Sequence, residues 1–281
     1  MKTRKYLFSF GLVLASVVST YFATTSTAQQ GAQQQQSATA DTEYQIGAIL
    51  YMQKAAEYRA LAYQAFNIAR IQLDADEKDR KKLPRAERRK QRAVVVDVDE
   101  TVLDNSPAQA VQVKNRLPFI QEKWTAWVNT RRAKAIPGAI DFLNYASRKG
   151  ARIFYVTNRI EVEKQPTIDN LKALGFPDVS AETVLVKTGE SSKEARRQTI
   201  LQTYRIAILM GDNLDDLSNV FERKSIAARF GEVEKLSEMF GRKFIVLPNA
   251  MYGTWESAIY EYERLTEAQK TEKRANALES Y

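Results

Sequence analysis

Apolar residues at Tyr58, Leu61, Ala62, Ala65, Phe66 and Ala69 fall at i, i+3, i+4, i+7, i+8 and i+11, the stripe of a helix with one buried face. No proline interrupts the chain from Thr42 to about Leu73, so the pattern predicts one long helix there. Further along, the period is lost and short continuous apolar runs replace it at 93–98, 151–157, 183–186, 205–210 and 243–247. Runs of that length, rich in Val and Ile, predict strands covered on both faces. Stretches near 138–149, 161–174, 191–203, 214–221 and 252–270 read as helices. Strand alternating with helix predicts an α/β fold, a mostly parallel sheet flanked by helices, with ligands bound beyond the carboxyl ends of the strands.

The first residues follow different rules. Lys2, Arg4 and Lys5 precede an apolar stretch from Tyr6 to Val18 and a small-residue site at Ser26-Thr27-Ala28. Residues 1–28 are therefore expected to be a cleaved secretory signal, with an uncleaved inner-membrane anchor as the alternative. Residues 29–41, rich in Gln, Ala, Ser and Thr, are expected to be a flexible spacer. The folded domain is expected at 42–270, with a tail at 271–281. Removal of the signal lowers the net charge from +8 to +5, a balance suited to anionic small substrates. Between Lys78 and Arg92 nine basic residues stand against two acidic ones, around Pro84. No aromatic residue is interleaved to stack on bases, so this stretch is read as a solvated helix end and linker, and no nucleic-acid polymer is expected as a partner.

Two zeros in the composition narrow the chemistry. The chain has no cysteine and no histidine, which removes thiolate nucleophiles, the Ser-His-Asp triad, most zinc sites and a cysteine-linked lipid anchor. Acid–base and metal chemistry must therefore fall chiefly to carboxylates, with Lys and Tyr in support. The carboxylates cluster after three of the predicted strands or accompany polar groups there: D-V-D-E-T at 97–101, V-T-N-R at 156–159 and G-D-N-L-D-D at 211–216. Asp97, Asp99, Asp212 and Asp216 supply hard oxygen ligands that suit Mg2+. Asp97 and Asp99, two apart in an extended segment, share a side. One can attack phosphorus while the other donates a proton to the leaving oxygen. Thr157, Asn158 and Lys193 offer a hydroxyl, an amide and a cation to phosphoryl oxygens. Lys187, directly after a strand, is the rival to Lys193.

The segments V-V-V-D-V-D-E-T-V-L-D-N-S-P, V-T-N-R, S-S-K-x-x-R-R and G-D-N-L-D-D resemble the four motifs of haloacid dehalogenase-like (HAD) phosphatases. The version is that of bacterial class C acid phosphatases, among which are lipoprotein 5′-nucleotidases. The likeness extends from about Thr42 to Ala258 and includes W-T-A-W-V and L-P-N-A-M-Y-G-T-W-E. It implies a HAD-like Rossmannoid sheet with a small cap insertion at about 105–137. It implies an exported, magnesium-dependent enzyme for phosphomonoesters, with nucleoside monophosphates preferred. Asp97 would form an aspartyl-phosphate and Asp99 would serve as general acid and then base. Mg2+ would be held by the Asp97 carboxylate, the Asp99 backbone carbonyl and Asp212, with Asp216 orienting metal-bound water.

The same resemblance suggests that Trp124, Tyr252 and Trp255 stack on a base or aryl leaving group; Trp127 can instead take a core role. Without cysteine the chain departs from its lipoprotein relatives, so a periplasmic or secreted enzyme with no stable membrane anchor is expected; homo-oligomerisation is left open. Two other functions are weighed. A binding protein that has lost catalysis would show a damaged catalytic set, whereas Asp97, Asp99, Thr157, Lys193, Asp212 and Asp216 are all present. A phosphotransferase would use the same intermediate and differ in its acceptor.

Overall fold

The computed structural model describes residues 41–281; the expected signal and most of the expected spacer lie outside them. A five-stranded parallel sheet forms the centre, built from β1 (Gln91–Val96), β4 (Arg152–Val156), β5 (Val184–Leu185), β6 (Tyr204–Gly211) and β7 (Phe244–Val246). Their order is β5-β4-β1-β6-β7, every pair parallel. A two-stranded antiparallel ribbon of β2 (Leu103–Asp104) and β3 (Lys134–Ala135) stands apart from it.

The continuous apolar run of β1 follows from its central place. Side chains alternate across a strand, so Val94 and Val96 enter one apolar layer with Ile153, Tyr155, Ile208 and Met210. Ala93 and Val95 enter the other, with Phe154, Val156, Ile206 and Leu209. Helices α2 (Ala56–Asp79) and α6 (Ala139–Arg148) cover the first layer through Tyr58, Ala62, Phe66, Leu73, Phe142 and Leu143. Helix α8 (Glu194–Thr203) covers the second through Ile200.

Three element expectations change. The long N-terminal helix breaks at Ala55, whose ψ of 130° is extended, giving α1 (Ile46–Lys54) and α2. Alanine is the best helix former, so the break has no local signal and is imposed by packing. On α2 Leu61 is 40% exposed, outside the buried stripe. The stretch 214–221 forms two short 3-10 turns, Leu214–Asp216 and Asn219–Phe221, because the side chains of Asn213, Asp216 and Ser218 bond to the backbone and compete with helix. Beyond α9 (Ile226–Lys235), the stretch 252–270 holds α10 (Thr254–Ile259) and the start of α11 (Glu267–Asn276), separated at Glu261 and Tyr262, both with positive φ.

Between β2 and β3 lie α4 (Ser106–Lys114) and α5 (Gln121–Asn129), at the place of the expected cap. The ribbon closes this excursion, and Glu163 of α7 (Glu161–Ala173) anchors α5 by accepting from Gln121 Nε2 at 2.9 Å and Thr125 Oγ1 at 2.6 Å. In the central sheet β4 lies on one side of β1 and β6 on the other. The chain therefore reverses direction across the sheet at β1, the position where open parallel sheets bind ligands.

Candidate active site

Asp97 is the first residue beyond β1, and its N–H bonds to the Met210 carbonyl of β6 at 2.9 Å. Thr157 follows β4 directly, and Asp212 follows β6. Lys193 caps the amino end of α8. The buried Lys193 ammonium pairs with Asp97 Oδ1 and lies 2.7 Å from Asp216 Oδ1. Carboxylate oxygens of Asp97, Asp212 and Asp216 all lie within 4.8 Å of one another.

Burial raises the Asp97 carboxyl to about 7, opposed by Lys193 and reinforced by Asp216 and Asp99. Asp212 is held well above the usual carboxylate range by burial and then by Asp216 and Asp97. Burial alone would lower the Lys193 ammonium, yet Asp216 and Asp97 hold it above its ordinary value. Three crowded carboxylates with oxygen donors alone fit a hard divalent cation, whose charge would offset both the burial and the mutual repulsion that raise Asp97 and Asp212.

Close approach at this point depends on Gly211. A Cβ placed there would come within 2.5 Å of Asp216 Oδ2 and 2.8 Å of its Cγ, so only glycine lets Asp216 fold back over the end of β6. Asp216 also accepts the Asn213 N–H at 3.0 Å. Asp212 accepts from Thr101 Oγ1 at 3.2 Å and Asn249 Nδ2 at 2.8 Å.

The Asp99 carboxylate turns elsewhere. It accepts from Arg159 Nη2 at 2.8 Å and Nε at 3.0 Å, from Asn105 Nδ2 at 2.9 Å and from the Thr157 hydroxyl at 3.1 Å. Between these groups and the metal-type cluster runs a tight turn with Glu100 at φ 60°, a conformation that costs roughly 1–3 kcal/mol outside glycine. Glu100 is fully buried and ties the turn down, accepting the Asn105 N–H at 2.7 Å and the Tyr252 hydroxyl. Burial, then Asp99 and Asp212, hold its carboxyl well above the usual range.

Asp97, Lys193, Asp212 and Asp216 thus converge, with Thr157 joined to Asp99. Asn158 is exposed, its amide oxygen accepting from Arg196 Nη2 at 2.7 Å. Among the described residues Lys193 supplies the ammonium at Asp97; Lys187 donates its backbone N–H to the Arg159 carbonyl at 2.9 Å. The aromatic residues have unlike settings. The Arg159 guanidinium lies 5.7 Å from the Trp124 ring centroid. Trp127 packs against the core and donates its indole N–H to Asn105 Oδ1 at 2.8 Å. Tyr252 packs on the core and bonds Glu100, whereas Trp255 is 40% exposed. Its neighbour Thr254 donates to Asn213 Oδ1 at 2.5 Å, which ties α10 to the loop of Asp212.

Sequence reasoning gave no role to Arg159, Asn105, Arg196, Thr101, Glu100 or Asn249. All lie inside segments that carry the family likeness, Asn249 in L-P-N-A-M-Y-G-T-W-E and the others in the four motifs, so their proximity to the assigned residues was the available signal.

The profile of HAD superfamily subfamily IIIB (acid phosphatase) matches residues 11–255. The class C acid phosphatase of Bacillus anthracis superposes with a TM-score of 0.80 at 40% identity, covering 85% of this chain and 98% of that one. The same enzyme with tungstate bound also gives 0.80 at 40% identity, over 86% and 99%. Acid phosphatase 1 of Solanum lycopersicum is 27% identical over 129 residues, 44% of this chain and 51% of that protein. The stem 31 kDa glycoprotein of Glycine max is 28% identical over the same shares. The chain thus spans about half the length of these two curated relatives. A profile match of this extent, with a solved relative alike over nearly its whole length, establishes that the chain belongs to HAD subfamily IIIB, a family of phosphomonoesterases.

Proposed function

We propose that this chain is an exported, magnesium-dependent acid phosphatase that hydrolyses phosphomonoesters through a phosphorylated Asp97 and favours nucleoside monophosphates. The observation that carries the reading is the junction of Lys193 with Asp97 and Asp216, beside Asp212, at the carboxyl end of the two central strands. Its oxyanion-binding character is supported by the tungstate held by the B. anthracis relative.

Asp97 and Asp212, with the Asp99 backbone carbonyl implied by the family likeness, would hold Mg2+, and Asp216 beside them would orient metal-bound water. Bound there, the cation supplies positive charge against the phosphoryl oxygens and the crowded carboxylates. An Asp97 oxygen attacks phosphorus as the bond from phosphorus to the ester oxygen breaks. Asp99 gives a proton to that leaving oxygen. Asp99 then takes a proton from water as the water oxygen attacks the aspartyl-phosphate, which frees inorganic phosphate and restores the Asp97 carboxylate. Lys193 keeps the nucleophile oriented and faces the phosphate charge. Arg159, Asn105 and Thr157 fix the direction of the Asp99 carboxylate, and Arg196 holds the 157–158 segment through the Thr157 carbonyl at 2.5 Å and Asn158.

Trp124, Tyr252 and Trp255 would select the leaving group. Trp124 lies against Arg159 and Tyr252 bonds Glu100, while Trp255 follows Thr254, whose hydroxyl bonds Asn213. A periplasmic or secreted location agrees with the signal-like residues 1–28, and among the described residues no helix is long and apolar enough to cross a membrane.

The test is a panel of nucleoside monophosphates, aryl phosphates and sugar phosphates with Mg2+ and with chelator, joined to acid quench and peptide mass mapping. Phosphate release that needs Mg2+, with a phosphoryl mass on the Asp97 peptide, is expected. Turnover with the label elsewhere would overturn the mechanism.

A further inference from the structure

The amino end of the parallel sheet carries more cations than its carboxylates neutralise: Asp76, Glu77, Asp79 and Glu87 pair there with Arg80, Lys82, Lys90, Arg92 and Arg205, and further cations are left over. The acidic cluster of Asp97, Asp99, Asp212 and Asp216 occupies the carboxyl end. The segment 78–92, which feeds the amino end of β1, carries nine basic residues and two acidic ones, a net +7. Residues 41–281 together net only +5, so this one segment exceeds the charge of the whole described chain and the remainder is slightly negative.

The fold adds further cations to that end. Arg148 and Lys149, exposed at the end of α6, precede β4, and Arg242, also exposed, precedes β7. Neighbourhood is set by bonds between these segments. Arg92 donates to the Lys149 carbonyl at 2.7 Å and Gln91 to the Gly150 carbonyl at 3.1 Å. The Asp79 carboxyl, lowered chiefly by its bond to Lys82, also feels Arg242.

Part of the segment has structural work. Arg80 caps α3 (Arg85–Arg89) through the Arg88 carbonyl at 3.1 Å, Lys90 reaches the Leu201 carbonyl at 2.7 Å and the buried Arg92 donates to the Leu73 carbonyl at 3.0 Å. The side chains of Lys81, Arg85 and Arg89 are exposed and, among the described residues, make no hydrogen bond or ion pair. Long, solvated cations kept close to one another without carboxylate partners repel, a cost that an external anion removes.

We infer that the amino end of the sheet is a docking face for an anionic lipid surface. Cations contributed by three separate segments suit phosphates spread over a plane rather than one enclosed anion. No aromatic residue lies in 78–92, so a single-stranded nucleic acid would find no stacking platform. The six residues of β1 separate this face from Asp97, roughly 20 Å at about 3.3 Å per residue. Docking therefore leaves the active site open to the aqueous phase. Such attachment is reversible, salt-sensitive and independent of any lipid anchor.

The experiment is sedimentation of the whole protein with vesicles of phosphatidylcholine alone or with 30% phosphatidylglycerol added, at low and high salt, beside the triple variant Lys81→Gln, Arg85→Gln, Arg89→Gln. Wild type is expected to sediment only with the anionic vesicles and to be released by about 0.5 M salt. The variant should bind on the order of 100-fold more weakly, about five-fold for each cation. Its thermal midpoint and its turnover of a small aryl phosphate should be unchanged, which separates this inference from the phosphatase reading. Equal binding to both vesicle types, undiminished binding by the variant, or binding to an RNA homopolymer without binding to anionic vesicles would each overturn it.

Discussion

Arg159 grips Asp99 with two nitrogens, Nη2 at 2.8 Å and Nε at 3.0 Å from the same carboxylate oxygen, while its Nη1 donates to Thr167 Oγ1 at 2.9 Å. Both the guanidinium and Thr167 are buried, so this is a rigid mount for the proposed acid. Bidentate geometry of this kind is specific to arginine. Arg159→Lys should keep the charge and lose the fork. General acid catalysis supplies about 10²–10⁴ in rate, and misdirecting the acid should remove roughly 10–100-fold of it on alkyl phosphates. Aryl phosphates with good leaving groups should be affected less. Steady-state kinetics on both ester types checks this; an equal loss on both would give Arg159 a different task.

Lys193 holds the buried Asp97 and the partly buried Asp216 with one ammonium. Removing one partner of a buried ionic group leaves the others uncompensated, at a cost of about 3–5 kcal/mol. Lys193→Met should therefore lower the thermal midpoint of the metal-free protein by roughly 10 °C, given about 2–4 °C per kcal/mol in domains of this size. Added Mg2+ should recover more of the midpoint in this variant than in wild type, because the cation meets a less neutralised cluster. Thermal denaturation with chelator and with Mg2+ measures both effects. A variant as stable as wild type without metal would contradict the pairing.

Gly211 gives a cleaner separation of site from fold. The Cβ of Gly211→Ala would overlap Asp216, whose side chain must then leave Lys193 and the Asn213 N–H. The strand itself accommodates alanine, since Ala207 already sits in β6. Activity should fall at least about ten-fold, as expected for losing a charge-assisted bond of about 1.5–3 kcal/mol, while circular dichroism stays unchanged. Full activity would mean that Asp216 has no positional role.

These residues also show where sequence reading succeeds and where it stops. The five strands were legible because β1, β4 and β6 are buried on both faces and so are apolar without interruption. Asp97, Lys193, Asp212 and Asp216 were legible because strand ends and a helix start carry them to one rim. Arg159 was not assigned because its role depends on an orientation that spacing does not encode: the Asp99 carboxylate turns toward the end of β4 and the start of α4 rather than toward Asp212. Ala55 was missed for the opposite reason, since its local preference favours helix and tertiary packing overrides it. The aromatic residues were grouped by family likeness alone, and the structure separates them by burial.

That separation yields a prediction about specificity. Tyr252 packs on the core and its hydroxyl holds Glu100, which braces the strained turn beside Asp99. Tyr252→Phe should therefore lower kcat equally on nucleoside monophosphates and on glycerol phosphate, since the turn serves every substrate. Trp255 is 40% exposed on α10, and among the described residues its side chain makes no hydrogen bond. A base stacked on an aromatic side chain contributes about 1–3 kcal/mol, which is roughly 5-fold to more than 100-fold in relative kcat/KM. Trp255→Ala should remove that increment for nucleoside monophosphates and leave glycerol phosphate unchanged, with the thermal midpoint preserved. The ratio of the two kcat/KM values is the readout, because it cancels any common loss of active enzyme. If the ratio moves with Tyr252→Phe and not with Trp255→Ala, the base is gripped on the Glu100 side of the rim instead, and α10 serves only to brace the Asp212 loop.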